Sequence, residues 1–338
     1  MFASRRTFLS ALASCAVPAV ARARVDESRD EQTPEGFAVH ELTFDRADHT
    51  MQRARVYVPH DLTPDQKWPV AILLHGYAQA LADERALSAW GSEYDALGAY
   101  RSLAHGAVRA TAALGIPRSQ AIEQGLRAAP FRGMVLVAPV TPIPYFQRNL
   151  AQALTGYADW MHHELLPAIA EVAPVSTAPE TLGLAGVSMG ALVGLELMWR
   201  FPERFGAYCG IQIAIKRSQA ERYAWLLQRA FGRVGNGRGR PVCVVTSTRD
   251  TYRWSNQAFH DALRRNHVDA SIELRDGGHT SRWMRQAGSL ESLFWLDRTL
   301  HAAPAQSTPP SPSLSGPESV AQGWPAASDE APSGTAEH

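Results

Sequence analysis

Near-continuous apolar runs recur along the chain, the first of them ending in glycine. They are "PVAILLHG" (Pro69–Gly76), "GMVLVAPV" (Gly133–Val140), "TLGLAGVS" (Thr181–Ser188), "GAYCGIQIA" (Gly206–Ala214), "PVCVVTST" (Pro241–Thr248) and "ASIELRD" (Ala270–Asp276). Runs of this kind suit strands of a parallel sheet covered on both faces, where neither side meets water. Two further β-rich stretches come first, "FAVHELTF" (Phe37–Phe44) and "RARVYVP" (Arg53–Pro59), and suit an opening antiparallel pair.

Helical patterns fill the gaps. Leu150, Leu154, Met161, Leu165 and Ile169 form an apolar stripe at helical spacing, and Pro167 should kink that helix or confine it to its last turns. Residues 189–201 read as a helix stopped before Pro202. Strands alternating with helices predict an α/β fold built from right-handed βαβ units: a mostly parallel sheet of about eight strands with helices on both faces. One connection, Ala78 to Arg132, is long and helical in pattern. Insertions of this length serve as lids or binding loops, or simply add packing.

Composition changes this picture mainly at the ends. From Ala302 onward the chain is rich in Pro, Ser, Ala and Gly, with Trp324 as its lone large aromatic, and such a segment buries too little surface to offset its ordering entropy. The start, "SRRTFLSALASCAVPAVARA", has paired Arg5 and Arg6, a short apolar stretch and small residues near Ala21 and Ala23. This is the layout of a signal peptide with a twin-arginine motif, too short and weakly apolar for a membrane span. "LASC" ending at Cys15 also resembles a lipoprotein cleavage box, but the apolar stretch before it is very short. The expected organisation is a leader over 1–23, a linker over 24–34, one α/β domain over 35–301 with a helical insertion at about 78–132, and a disordered tail over 302–338. A cleaved leader of this type predicts a periplasmic or secreted protein and a transient encounter with the twin-arginine machinery.

Of 338 residues, 45% are hydrophobic, enough for a real core, and the formal net charge is zero. That balance gives no reason to expect nucleic acid as a partner. Basic charge is almost all arginine, with Lys67 and Lys216 the only lysines. Beyond Cys15 only Cys209 and Cys243 remain, both in apolar runs; buried free thiols or a disulfide are both compatible with that placement. No cysteine or histidine spacing suggests a metal, and the neighbours His162 and His163 point in different directions on their helix. The arginines of "GRVGNGRGRP" (Gly232–Pro241) precede a strand and read as a solvated loop.

The chemistry concentrates at "GVSMG", where Ser188 stands between Gly186 and Gly190, after a strand and before a helix. A nucleophile on so sharp a turn needs small neighbours, because strand and helix pass close together. A serine that merely caps the helix is the alternative, but capping does not call for both glycines. A serine hydroxyl becomes nucleophilic only when a base takes its proton. His279 in "RDGGHTSRW" follows the last strand on a glycine-flanked loop, where an imidazole can reach over the sheet. Asp250 in "VVTSTRDTY" ends the penultimate strand and is the expected acid; Asp276, three residues from the histidine, is the rival and would have to fold back. Ser188, Asp250 and His279 follow one another in the chain order of the α/β-hydrolase triad. In that architecture the loop after the third strand, "LLHGY", supplies an oxyanion donor, so the Tyr77 and Met189 amides are the expected pair. His75 supports that loop. Trp90, Tyr94, Tyr145 and Trp283 either line an acyl pocket or pack in the core.

From about Tyr57 to Leu300 the chain resembles the esterase branch of the α/β-hydrolases, which includes esterase D-like, feruloyl-esterase-like and polyhydroxyalkanoate-depolymerase-like proteins. The stretches that carry this are "RVYVP", "ILLHGY", "LAGVSMGALVGLELMWRFPERFGA" and "GGHTSRWMR". Two features depart from the pattern: Ala191 replaces a usual glycine after the elbow, and the region around Asp250 has no strong local signature. The resemblance implies an α/β-hydrolase fold and hydrolysis of a small-molecule or polymer ester, with no metal or organic cofactor. The same triad can serve an acyltransferase, and a retained fold can serve a non-catalytic exported binding protein.

Overall fold

The computed structural model of the chain describes residues 23–27, 35–45, 51–234 and 240–302. The expected leader up to residue 22, with Cys15, the tail from residue 303, with Trp324, and the middle of the arginine-bearing loop at 235–239 lie outside the described residues. Among those residues no helix is long and apolar enough to cross a membrane.

One nine-stranded sheet organises the described residues. Its strands are β1 (Arg24–Glu27), β2 (Phe37–Asp45), β3 (Met51–Pro59), β4 (Val70–Leu74), β5 (Val135–Pro139), β6 (Leu182–Val187), β7 (Ala207–Ile211), β8 (Val242–Arg249) and β9 (Ala270–Gly278). In space the order is β1-β2-β3-β5-β4-β6-β7-β8-β9. The first three strands form an antiparallel flap that joins β5, and every pair from β5 to β9 is parallel. The eight expected strands are all present. The ninth, β1, falls in the stretch read as a linker; it is four residues long and pairs along the edge of β2, Arg24 opposite Thr43 and Glu27 opposite His40. So short a run carries no pattern of its own, and its strand character comes from the partner it meets.

The helices are α1 (Asp83–Ser88), α2 (Ala96–Ala104), α3 (Ile116–Ala128), α4 (Leu150–Trp160), α5 (Leu166–Val172), α6 (Met189–Arg200), α7 (Ala220–Arg233), α8 (Arg253–Arg265), α9 (Ser281–Trp283) and α10 (Ser289–Leu300). Side chains alternate across the strands, so each face of the sheet builds its own core. Val70, Ile72 and Leu74 of β4 join Leu165, Ile169, Leu195 and Phe259 on one face. Ala71 and Leu73 join Leu97, Tyr100, Ile122, Leu293 and Leu296 on the other. The long insertion thus supplies packing through α2 and α3, while its first part reaches the site described below.

Pro167 acts as its sequence position suggests. The chain passes from α4 through a π-turn, Met161–Leu165, into α5, where the proline occupies the first turn. The wider turn and a fresh helix start leave the missing proline N–H without consequence. Cys209 and Cys243 are register partners on β7 and β8, both buried and both free thiols.

Strand order reverses around β4. It lies between β5 and β6: the chain leaves β4 toward β5 on one side, and leaves β6 toward β7 on the other. Such a switch point opens a crevice at the carboxyl edge of the sheet.

Candidate active site

β6 ends at Val187 and α6 begins at Met189, so Ser188 alone makes the corner. Its backbone sits at φ 56°, ψ −113°, a region that a non-glycine residue occupies at a cost of roughly 1–3 kcal/mol. Surrounding bonds hold it there: Ser188 N–H donates to Ile211 O at 2.8 Å, and Ser188 O accepts from Leu192 N–H at 3.1 Å. The flanking glycines are steric requirements. A Cβ on Gly186 would stand 2.4 Å from Gly190 O, and one on Gly190 would stand 2.4 Å from Leu74 O. The serine side chain makes no capping bond to α6. Its hydroxyl faces His279 instead, with Oγ 3.0 Å from Nε2.

His279 follows β9 directly. Its Nδ1 lies 2.8 Å from Asp250 Oδ1. Asp250 is buried at the end of β8 and also accepts from Thr246 Oγ1 at 2.8 Å and from Tyr252 N–H at 3.1 Å. A carboxylate so placed fixes the tautomer: Nδ1–H donates to Asp250, and Nε2 is left to accept the serine proton. Asp276 does not compete. It is exposed and bonds Thr248 Oγ1 at 2.6 Å and Arg249 at 3.1 Å. The Thr248 bond, with Arg249 beside it, holds that carboxyl below the usual aspartate range.

The loop after β4 is braced from behind. His75 is fully buried; its Nε2 accepts from Thr141 N–H at 2.9 Å, and its Nδ1 donates to Gly76 O at 3.0 Å. Burial pushes this imidazole down to about 4, so it is a neutral strut between the ends of β4 and β5. Tyr94 OH accepts from Gly76 N–H at 3.2 Å. Neither the Tyr77 nor the Met189 amide donates to another described residue. Met189 opens α6, where first-turn N–H groups have no helical partner.

These residues enclose a cavity of ≈ 280 Å³ lined by Gly76, Tyr77, Gln79, Ser188, His279 and Met284, among others. Of the four aromatics expected to line a pocket or pack in the core, Tyr94 lines this cavity. Trp90 and Trp283 are buried in the core, and Tyr145 is 57% exposed.

Several residues at the site were not anticipated, and Gln212 is the most closely tied to the histidine. Gln212, just beyond β7, also lines the cavity and has φ 48°. Its Nε2 donates to Ser247 Oγ at 2.8 Å and to Gly278 O at 3.1 Å, immediately before His279. The available signal was an amide within the apolar run "GIQIA", since a buried amide needs partners. Glu93 makes a second connection, accepting from Gln79 Nε2 at 2.8 Å and from Arg85 Nε at 2.5 Å, with Ser281 Oγ at 3.5 Å.

Residues 49–258 match the protein-family model described as "Putative esterase". Among solved structures, a ferulic acid esterase superposes with a TM-score of 0.56 at 17% identity, covering 78% of this chain and 99% of that one. A feruloyl esterase module from Clostridium thermocellum gives 0.55 at 12% identity, covering 83% and 95%. An S-formylglutathione hydrolase from Agrobacterium tumefaciens gives 0.53 at 14% identity, covering 82% and 99%. No curated protein matches the chain. At such identities the likeness carries the fold, the α/β-hydrolase fold that the sequence resemblance implies.

Proposed function

The chain belongs to the family described as "Putative esterase" and is a carboxylic-ester hydrolase, and from that premise we propose that it works through Ser188 and an acyl-enzyme intermediate. Ser188 Oγ attacks the ester carbonyl carbon as its proton passes to His279 Nε2. The Tyr77 and Met189 amides stabilise the oxyanion that forms. His279 then gives the proton to the departing alkoxide, and the alcohol leaves. A water molecule attacks the acyl-serine, losing its proton to His279, and the acid is released as Ser188 regains a proton. Asp250 stays ionised throughout, holding the imidazole and stabilising its charged form. The observation that carries this reading is the unbroken contact chain from Ser188 Oγ through His279 to Asp250, at 3.0 and 2.8 Å.

Ser188→Ala is expected to lower kcat on an activated ester by roughly 10⁴–10⁶-fold with the fold intact. A fluorophosphonate probe should label the natural chain and leave that variant unlabelled. Turnover unchanged in the variant, or no adduct on the folded natural chain, would remove the serine mechanism. Product analysis with competing alcohols separates hydrolysis from acyl transfer.

We further propose export through the twin-arginine route. The support is the Arg5–Arg6 pair followed by a short apolar stretch. Export should cease when both arginines become lysine. Equal amounts of mature protein outside the cytoplasm for both forms would sink the idea.

A further inference from the structure

Nine large apolar side chains of the described residues are exposed, and five of them sit on loops or helix starts at the carboxyl edge of the sheet, beside the site: Tyr77, Leu81, Tyr145, Phe146 and Trp254. Exposed aromatics gathered at one place mark a binding surface. Two of these, Tyr145 and Phe146, stand against a third, Tyr77. Tyr77 is 40% exposed, Tyr145 57% and Phe146 68%. The Tyr145 and Phe146 rings stand 6.2 and 6.4 Å from the Tyr77 ring, at 62° and 71° to it. Such edge-to-face spacing leaves faces that a further ring can join. The segment that presents Tyr145 and Phe146 carries Pro139, Pro142 and Pro144, which restrict its backbone. The rings are therefore held out into water by a stiff loop.

Tyr77 belongs to both surfaces, since it lines the catalytic cavity and anchors the aromatic group. The cavity, at ≈ 280 Å³, is small beside typical ligand pockets of roughly 300–1,000 Å³. Gln79, Gln212, Thr280 and Ser281 bring polar groups to its wall, and so small a volume suits a short acyl group better than a long alkyl chain. The rest of the ester must lie outside. The amides next to the rings are in use: Gln147 Nε2 donates to Ile143 O, and Asn149 caps α4. That leaves the ring faces, beside the exposed Arg148, to meet the ligand.

Resting on the serine-esterase reading, we propose that Tyr77, Tyr145 and Phe146 form a shelf for the ring of an aromatic alcohol, so that the preferred substrates are short-acyl esters of aryl alcohols. The shelf selects through binding of the leaving portion, and Tyr145 and Phe146 are its specificity-determining residues.

The test compares the natural chain with Y145A/F146A on 2-naphthyl acetate, ethyl acetate and glucose pentaacetate. Both positions are exposed, so the fold should survive, as thermal unfolding would verify. The double variant is expected to raise KM for 2-naphthyl acetate about tenfold, with kcat little changed, and to alter ethyl acetate turnover less than about twofold. A conservative Y145F/F146Y swap should restore the low KM. An unchanged KM for the naphthyl ester, or equal losses on naphthyl and ethyl esters, overturns the shelf. A sugar acetate preferred by the natural chain, with the same dependence on both rings, overturns the aryl assignment in favour of carbohydrate. Absence of turnover on every ester, together with no fluorophosphonate adduct, defeats the serine reading itself and the shelf with it.

Discussion

At Gly190 one methyl group decides whether the elbow can close. A Cβ there would lie 2.4 Å from Leu74 O and 2.5 Å from His75 O, both backbone atoms of the strand and loop that carry the Tyr77 amide. Gly190→Ala must push α6 and β4 apart, and is expected to cost about 1–3 kcal/mol in urea unfolding. It should also lower kcat sharply, because the nucleophile and both amides move together. Unchanged stability would mean that the elbow is looser than this geometry. The two aspartates divide as clearly. Asp250→Asn should lower kcat by up to about 10⁴-fold, since an amide no longer stabilises the charged imidazole. Asp276→Asn, which loses only exposed contacts to Thr248 and Arg249, should leave kcat within about twofold on p-nitrophenyl acetate. Ser188, Asp250 and His279 were legible because chain order and strand ends together bring them to one edge. Gln212 was not, because its backbone at φ 48° and its bond to Gly278 O arise only when β7, β8 and the histidine loop meet.

Between elements, Glu93 buckles the insertion to the site. It ends the π-turn Ala89–Glu93 that separates α1 from α2, and it reaches Gln79 after β4 and Ser281 after β9. The hydrogen bond from Arg85, opposed by partial burial, holds its carboxyl below the ordinary value of 4.5. A depressed acid stabilises the fold in full above 4.5, and the contribution is lost as pH falls through 4.5 and on to the lower folded value. Arg85 is half exposed and screened, so the effect stays within about 1 kcal/mol. Denaturant unfolding from pH 6 down to pH 3 should therefore fall more steeply for the natural chain than for Glu93→Gln, and parallel curves would discard the tie. This connection had no trace in the sequence, where a single glutamate amid helical residues is unremarkable. The strands were different. β4 to β8 appear as apolar runs because a sheet buried on both faces excludes polar side chains along each strand. β2 is instructive: Phe37 and Val39 face one core while Leu42 and Phe44 face the other, so its pattern breaks in the middle although the strand does not. The π-turn before Pro167 was legible as an interruption, though its form was not.

For the molecule as a whole, Cys209 and Cys243 report on how the sheet holds together. They face each other across β7 and β8, fully buried in the core beneath α10. Burial first, then the neighbouring Cys243 thiol, pushes the Cys209 thiol well above its usual range, so little thiolate exists in the folded state. A reagent can reach either sulfur only after the parallel half of the sheet opens. Strands in that position belong to the part of a domain that opens last, with a free energy close to that of global unfolding. With Cys15 replaced by serine, a disulfide reagent should find no reactive thiol in the native protein within minutes. The same protein, purified without reductant and then denatured, should show both thiols. Labelling under native conditions should slow in proportion to the unfolding equilibrium measured in urea, and fall further when a fluorophosphonate adduct occupies Ser188 and braces the elbow. Fast labelling at a rate independent of urea would mean that β7 and β8 part locally, and a denatured protein with no free thiol would mean that they are bridged. In an oxidising compartment, thiols that open only with the whole sheet would stay reduced for as long as the protein stays folded.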